Sequence, residues 1–547
     1  MFISDIYLHE GVPMKRYILL LPIFLLVVTA SVLQADTIHV PSQQPTIQAG
    51  IDAAVDGDTV LVADGTYTGD GNRGITFKGK AIVVMSENGP ESCIIDCEGN
   101  WPNDPHGGFT FFQGEDSTSI VQGFTIMNGS RESGGGISCH NSSPTITGNT
   151  ITGNWANSYG GGINCWRNSY PTITGNTISG NVSNSNGGGI SCFNCSPTIT
   201  SNTISGNTSD ESGGGIYCNG FSTSPTIEGN TISGNISNGG GGGIKCSASS
   251  PNIIGNTISG NTASGIFGDG GGIGCYLSSP TITGNKITGN TADYDGGGIA
   301  VWHSSFPTIN GNTISGNTAT FEGGGIACSW SSPTITNCIL WGNSDEIYVL
   351  NGNPIFTYSN IQGGWSGEGN IDEDPMFVQP DTAMYTDHRL LWRSPCIDTG
   401  HPDSLDADST RSDMGAHYFN QNDFLTLYMT PDMRKVPQGG QMGVTYTIIN
   451  RWPQQKTFSA FTRVILPDGE IRTVLGPEEY HVCGGYAAQI HLTYNIPPCA
   501  YVGMYEYQGA IGVPPSTLYD DDNFKFKVIE NDSYTQNTSH LSHQRGN

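Results

Sequence analysis

The sequence predicts an all-β fold: a right-handed three-stranded parallel β-helix followed by a small immunoglobulin-like β-sandwich. Three observations predict it. Gly-Gly-Gly-Ile occurs eight times, with its Ile at 137, 163, 190, 216, 244, 273, 299 and 326. Each unit, 26–29 residues long, holds three short apolar clusters separated by Gly, Asn and Ser. From residue 423 the repeat gives way to longer alternating runs between Pro and Gly turns.

In chain order, the first element is a secretory signal over residues 1–35. Lys15 and Arg16 form a basic start, Ile18 to Leu33 is apolar, and Leu33-Gln34-Ala35 ends in a small residue suited to cleavage. The apolar stretch falls short of the roughly 20 residues that span a bilayer, and no second stretch of that length follows. The mature chain is therefore expected to be secreted, extracellular or at the cell surface, with no transmembrane segment. The net charge of −27 argues against a nucleic-acid partner, because no basic stripe is present to neutralise phosphates.

Residues 36–133 form the N-terminal cap and first coils. Thr37-Ile-His-Val reads as a strand. Pro45 opens a short helix with Ile47, Ile51, Ala54 and Val55 on one face, and a strand follows from Asp58.

Residues 134–343 are the eight-unit solenoid. Each Gly-Gly-Gly-Ile is followed by a Pro, at 144, 171, 197, 225, 251, 280, 307 and 333, then by Thr-Ile-Thr or a near copy and two Gly-Asn steps. Gly and β-branched content excludes helices. Units this short cannot bury a core alone, so they must stack, each strand in register with its copy about 4.8 Å away in the next coil. Alternation puts the residue two past each Ile inside. That column is Cys139, Cys165, Cys192, Cys218, Cys246, Cys275, Val301 and Cys328. A Val in the series indicates that size and apolarity matter rather than sulfur chemistry; a metal-thiolate column or a disulfide ladder is the alternative. Two Asn columns accompany it, Asn149, Asn176, Asn202, Asn230, Asn256, Asn285, Asn312 and Asn337, and Asn154, Asn181, Asn207, Asn235, Asn261, Asn290, Asn317 and Asn343. Stacked amides bond coil to coil, so both columns are scaffold.

Residues 344–422 are the last coils and C-terminal cap. Residues 423–530 form the sandwich, in runs such as Val444-Thr-Tyr-Thr-Ile-Ile and Gln489-Ile-His-Leu-Thr-Tyr. Cys483 and Cys499 are either a disulfide or two free thiols. The polar tail, 531–547, is expected to be disordered.

These units resemble the parallel β-helix repeats of the pectate-lyase-like superfamily. Gly-Gly-Gly-Ile and the Ile-x-x-Asn pairs are similar to repeats of chlamydial polymorphic outer membrane proteins, whose C-terminal membrane barrel has no counterpart here. Thr46-Ile-Gln, Ile51-Asp and Gly57-Asp-Thr-Val resemble the N-terminal cap of such β-helices. Asn370 to Phe377, Ser394-Pro-Cys-Ile-Asp-Thr-Gly and Asp413-Met-Gly-Ala resemble the closing region of bacterial secreted β-helix proteins. The C-terminal module resembles small adhesion-type modules of bacterial surface proteins.

Catalytic signatures that the resemblance implies are missing. Neither Gly-His-Gly nor Arg-x-Lys occurs in the repeats, and residues 134–343 hold only 10 charged side chains, of which Arg167, Lys245 and Lys286 are basic. General acid–base work needs positioned titratable groups, so this surface points away from catalysis. Two features stand out from the scaffold. Trp166, Phe193, Tyr276 and Trp302, with Trp330 one step on, follow the Cys column and face outward. They would stack on sugar rings, or simply on one another. Asp269, Asp295 and Glu322 precede three successive Gly runs, with Asp293 beside them. Stacked carboxylates repel, which a bridging Ca²⁺ would relieve; otherwise they splay into solvent. Asp403, Asp406, Asp408 and Asp413 make a weaker cluster whose spacing does not match an EF-hand loop. The expected function is a non-catalytic extracellular β-helix that binds a polysaccharide or a cell-surface component. A Ca²⁺-dependent polysaccharide lyase or hydrolase centred on Asp269, Asp295 and Glu322, and a rigid spacer displaying the C-terminal module, are the alternatives.

Overall fold

A computed structural model describes residues 35–379, 387–422, 424–513 and 517–531. The signal segment up to Gln34 and the tail from Asp532 lie outside the described residues.

The repeats stack as a parallel solenoid. The strands after each Gly run, such as Ile137–His140, form ladder I, which has 11 strands. Those after each Pro, such as Thr145–Thr147, form ladder II with 13, and those after the first Gly-Asn, such as Thr150–Thr152, form ladder III with 12. Pairing is like with like: Ile137 opposite Ile163, Ile146 opposite Ile173, Ile151 opposite Ile178. One Ile column from each ladder and the Cys/Val column fill the interior with no solvent exposure. The column cysteines are all free thiols.

To the three expected ladders the structure adds a fourth, with eight strands, most of them two residues wide, such as Thr208–Ser209. It follows the second Gly-Asn step. A pair of residues carries too short an alternation to stand out in sequence. Ladder IV explains the middle glycine of each triplet, and close backbone and Asn contacts explain the other two. In Gly213-Gly214-Gly215, Gly213 has φ +69°, and a Cβ there would lie 2.6 Å from the Ile216 carbonyl oxygen. A Cβ on Gly214 would lie 2.5 Å from the Ile236 carbonyl oxygen in ladder IV of the next coil. One on Gly215 would crowd the Asn235 amide at 3.1 Å.

Ladder IV also places small residues inward. Ala156, Ser183, Ser209, Ser237, Ala263 and Ala292 stack in register. The Ser183 and Ser209 hydroxyls are buried with no hydrogen-bond partner among the described residues. A buried unpaired hydroxyl is destabilising, so Ser209→Ala is expected to raise stability by about 1 kcal/mol, read as a higher urea midpoint. A fall of similar size would show that the hydroxyl is bonded.

The Asn columns form continuous amide ladders. Asn202 Nδ2 donates to Asn230 Oδ1 (3.0 Å) and to the Ile173 carbonyl (2.8 Å), and Asn207 Nδ2 donates to Asn235 Oδ1 (2.9 Å). One assignment changes. The last rung of the first column is Cys338, not Asn337: the Asn312 backbone N–H points to Cys338 Sγ at 3.4 Å. Asn337 occupies the preceding turn position, with φ +55°, where earlier units mostly have Gly. Asn tolerates that backbone better than other non-Gly residues, and its side-chain oxygen accepts the His401 N–H (2.6 Å).

The open N-terminal end of the core is covered by α1 (Ile47–Ala53), capped by Thr46, whose hydroxyl accepts the Ala49 N–H (3.2 Å). Ile47, Ile51 and Ala54 are buried. Val55 does not join them: it follows the helix and is exposed, because the chain turns there to begin the next strand. At the other end, coil strands continue through Asn360–Ile361. The cap that follows packs Phe377, Leu390, Cys396, Met414 and Phe419 against Ile339 and against Ile449 of the C-terminal module.

That module comprises β1 (Leu425–Pro431), β2 (Lys435–Pro437), β3 (Gln441–Asn450), β4 (Lys456–Ile465), β5 (Ile471–Val482), β6 (Tyr486–Asn495), β7 (Gly503–Val513) and β8 (Thr517–Ile529). Sheet β1–β3–β6 and sheet β2–β8–β7–β4–β5 enclose one core, consistent with a small β-sandwich. The Tyr446 hydroxyl meets those of Tyr494 (2.7 Å) and Tyr507 (2.8 Å) inside it. Cys483 and Cys499 are exposed free thiols.

Candidate functional site

The chain ahead of each Gly triplet turns back over the outer face of ladder I. Outward-pointing Asn164, Ser191, Tyr217, Ala300 and Ala327 are therefore buried although they lie outside the core. Two residues further along each strand but the last the surface reopens, and there the register stacks His140, Trp166, Phe193, Asn219, Ser247, Tyr276, Trp302 and the buried Ser329 in one column.

This column separates into two aromatic clusters. In the first, Trp166 stacks on His140 (5.2 Å, 27°), Arg167 lies 4.3 Å over its ring, and Phe193 meets Tyr159 at 6.3 Å. In the second, Tyr276 meets His303 (5.2 Å), and Trp302 contacts His303 (6.0 Å) and Tyr294 (6.3 Å). Asn219 and Ser247 interrupt the aromatic run, so Trp166 and Tyr276 lie four rungs apart, about 19 Å at the ordinary strand spacing. Trp166 and Tyr276 remain 38% and 39% exposed, and Trp330, on the neighbouring column at φ +53°, 59%. Phe193 and Trp302 are half-buried. The Trp302 indole N–H is buried without a partner among the described residues.

Tyr159, at the end of the ladder IV strand Trp155–Tyr159, and the loop aromatics Tyr294 and Phe321 were not expected from sequence. They fall outside the repeated motif, and only the fold brings them to the column.

The acidic residues are stacked in part. Gly270 N donates to the Asp295 carbonyl (3.0 Å) and Gly296 N to the Glu322 carbonyl (3.1 Å), so Asp269, Asp295 and Glu322 occupy successive rungs. Asp293 does not join them: it is exposed and accepts the Gly265 N–H (2.9 Å). Among the described residues no three carboxylate, His or Cys side chains converge as metal ligands would. Lys245 lies beside this column. Burial pushes its amine down and the Asp269 carboxyl up, each shift partly offset by the other group's charge. Burial, with Asp269 and Glu322 adding to it, pushes Asp295 up to about 6. Tyr294, next in sequence to Asp295, packs on Trp302 and joins the acidic column to the second aromatic cluster.

In the C-terminal cap, Asp406, Asp408 and Asp413 serve as turn anchors. Asp413 accepts the N–H groups of Asp398 (2.8 Å) and Phe419 (2.6 Å), and Asp406 accepts that of Asp413 (2.8 Å). Burial pushes Asp413 up to about 7, and Glu346, below the solenoid's last Asn rung, likewise to about 7.

These raised carboxyls give a signed expectation. The folded chain holds protons that the unfolded chain, with ordinary carboxyls near pH 4, has lost. Buried His417, pushed down to about 4, works the other way between about 4 and 6.5, but one imidazole is outweighed by three carboxyls, so stability should fall as pH rises from about 4 to 7 and level off above. Asp295→Asn should flatten the part of that slope below about pH 6. Urea midpoints measured against pH check this, and a wild-type stability that rises over that range would contradict it.

A family model described as a right-handed β-helix region matches residues 94–258, 181–314 and 214–369, which together span just over half of the sequence. The chain belongs to the right-handed β-helix family. No curated protein matches this β-helix. Three solved structures give local likenesses. An alkylpurine DNA glycosylase from Pseudomonas fluorescens bound to abasic-site DNA matches at 8% identity over 20% of this chain and 32% of its own, TM-score 0.17. The sporulation control protein Spo0M of Bacillus subtilis matches at 14% over 22% and 56%, TM-score 0.16. A β-glucosidase of Listeria innocua matches at 10% over 23% and 19%, TM-score 0.16. The β-helix thus spans less than two thirds of each, and these likenesses carry no functional argument. Among the described residues no helix is long and apolar enough to cross a membrane.

Proposed function

We propose that this β-helix is an exported, non-catalytic binding solenoid that holds an extended polysaccharide along the outer face of ladder I. The observation that carries the reading is the pair of aromatic clusters, whose rings at Trp166 and Tyr276, with Trp330 on the neighbouring column, keep broad apolar surface open on one side of the coil stack. Large exposed rings beside polar groups suit sugar faces and hydroxyls together. Arg167, His140 and His303 supply polar or charged contacts at the rims. Two clusters about four rungs apart favour a chain over a single sugar.

Affinity electrophoresis in gels cast with neutral and acidic polysaccharides tests this. At least one polysaccharide should retard the wild type, and Trp166→Ala and Trp330→Ala should each weaken retardation about tenfold, a loss of roughly 1.4 kcal/mol. Retention by none of them, or retention unchanged in both variants, would remove the reading.

A second reading draws on Asp295. A carboxyl held near 6 between Asp269 and Glu322, with Lys245 beside Asp269, has the character of a general acid or base. A lyase or hydrolase of the pectate-lyase-like class, with Ca²⁺ drawn to Asp269, Asp295 and Glu322, would follow. Polysaccharide cleavage that requires Ca²⁺ and is abolished in Asp295→Asn would establish it, and absence of cleavage on every substrate tried would end it.

A further inference from the structure

The two sheets of the C-terminal sandwich end in edge strands of unlike character. β5 carries Arg472, Pro477, Glu478 and Glu479, and its pairing with β4 slips register twice between Ala460 and Arg463. Charges, Pro and bulges of this kind keep an edge from pairing with another chain. β6 has none of these safeguards. Tyr486–Asn495 contains no Asp, Glu, Lys, Arg or Pro and pairs with β3 over ten residues without a slip. Its other side meets no strand among the described residues.

The hydrogen-bond phase shows which groups that edge presents. Ile496 N donates to the Gly440 carbonyl (2.9 Å), one step beyond the Gln441–Asn495 pair in the same register. Bonded pairs alternate along an antiparallel ladder, so the even-numbered residues of β6 bond to β3. The N–H and C=O groups of Ala487, Gln489, His491, Thr493 and Asn495 therefore face outward along the open edge.

We propose that β6 pairs with β6 of a second copy of this chain, antiparallel about a two-fold axis through Ile490. In that register Tyr486 lies opposite Tyr494, Ala488 opposite Leu492, and Ile490 opposite its own counterpart. On the other face Gln489, which keeps its bonds to the Val378 carbonyl of the cap (3.1 Å) and to the Thr447 hydroxyl (2.9 Å), lies opposite His491, and Ala487 lies opposite Thr493. In that register apolar side chains oppose apolar ones on one face, and polar or small ones oppose polar or small ones on the other, so the strand is complementary in character to its own copy. The phase also fits. The odd-numbered residues become the bonded pairs, giving about eight interchain N–H···O=C bonds, and Ile490 falls in a non-bonded pair, where opposing side chains come closest. Tyr486 and Ile490, 66% and 51% exposed in the single chain, would be covered. Two solenoids would then be held together, so each assembly offers two copies of the ladder I face. The pairing does not depend on what that face binds.

Sedimentation of the full chain over a concentration series tests the proposal, with Ile490→Lys and Ile490→Glu as variants. The half-exposed position tolerates either charge, and circular dichroism checks that both fold. The wild type should dimerise and each variant alone should be monomeric, because like charges meet on the axis. An equimolar mixture of I490K with I490E should recover the dimer. A monomeric wild type, a dimer that both variants keep, or a mixture that stays monomeric would each overturn it.

Discussion

Asn235→Ala is expected to destabilise the centre of the solenoid by about 4 kcal/mol, because one amide serves four buried partners. Asn235 Oδ1 accepts the Asn207 backbone N–H (3.0 Å) and Asn207 Nδ2 (2.9 Å). Its Nδ2 donates to the Ile204 carbonyl (2.9 Å) and to Asn261 Oδ1 (2.9 Å). The truncation removes four buried bonds and leaves the Asn207 backbone N–H without its acceptor, while Asn207 Nδ2 keeps the Ile178 carbonyl and Asn261 Oδ1 keeps the Asn235 backbone N–H; each lost bond costs about 1 kcal/mol and a stranded buried donor up to about 3. The loss should be local, since each coil touches only its neighbours. Hydrogen exchange checks it: the Asn207 and Ile236 amides should lose protection, while Thr231→Ala, on the exposed face of the same coil, should change stability by less than about 0.5 kcal/mol. Unchanged protection at Asn207 would show that the amide ladder is not what holds adjacent coils together.

Arg389→Ala should have a comparable effect at the junction of cap and sandwich. Arg389 donates to Asp387 through Nε (3.0 Å) and Nη2 (2.7 Å), and to Asp522 of β8 through Nη1 (2.8 Å). Its guanidinium lies 4.1 Å over the Tyr428 ring of β1. Asp387 is buried and also accepts the Thr430 hydroxyl (2.6 Å). Burial acts to raise the Asp387 carboxyl, but the bonds and charge of Arg389 outweigh it and hold it down to about 2. Removing the cation strands this charge in a buried setting, which costs about 3–5 kcal/mol. Lys would not substitute, since a point charge cannot engage both carboxylates in the same fork. The sign with pH is opposite to that at Asp295. The contribution of Asp387 is present above its unfolded value near 4 and is lost only as pH falls toward 2. Limited proteolysis should therefore cut Arg389→Ala between the cap and β1 under conditions where the wild type resists.

The sequence carried the solenoid plainly, because one inward Ile per strand and one Asn per corner recur with little interruption. It was less legible where position, not residue type, decides the role. Asn337 looked like a ladder rung because it is the Asn nearest the place where Asn recurs, yet the inward-facing position is one residue later, at Cys338. The ladder IV strands escaped notice because two residues such as Thr291–Ala292 show no period. The aromatic column could be read from alternation, including its interruption at Asn219 and Ser247. Its partners Tyr159 and Tyr294 could not, because a ladder IV strand that the sequence does not announce carries the one and a loop of irregular length the other. Lys245 was visible only as one of three basic residues in the repeats, and nothing in its spacing announced that it lies beside Asp269.

The central claim is that the ladder I face holds a polysaccharide without cutting it. The most direct test incubates the protein with whichever polysaccharide retards it and follows retention and chain length in the same sample, for wild type, Trp166→Ala and Asp295→Asn. The account expects the polymer to stay intact, retention to weaken in Trp166→Ala, and Asp295→Asn to behave as wild type. A polymer shortened by the wild type and spared by Asp295→Asn would contradict it and make this face an active site.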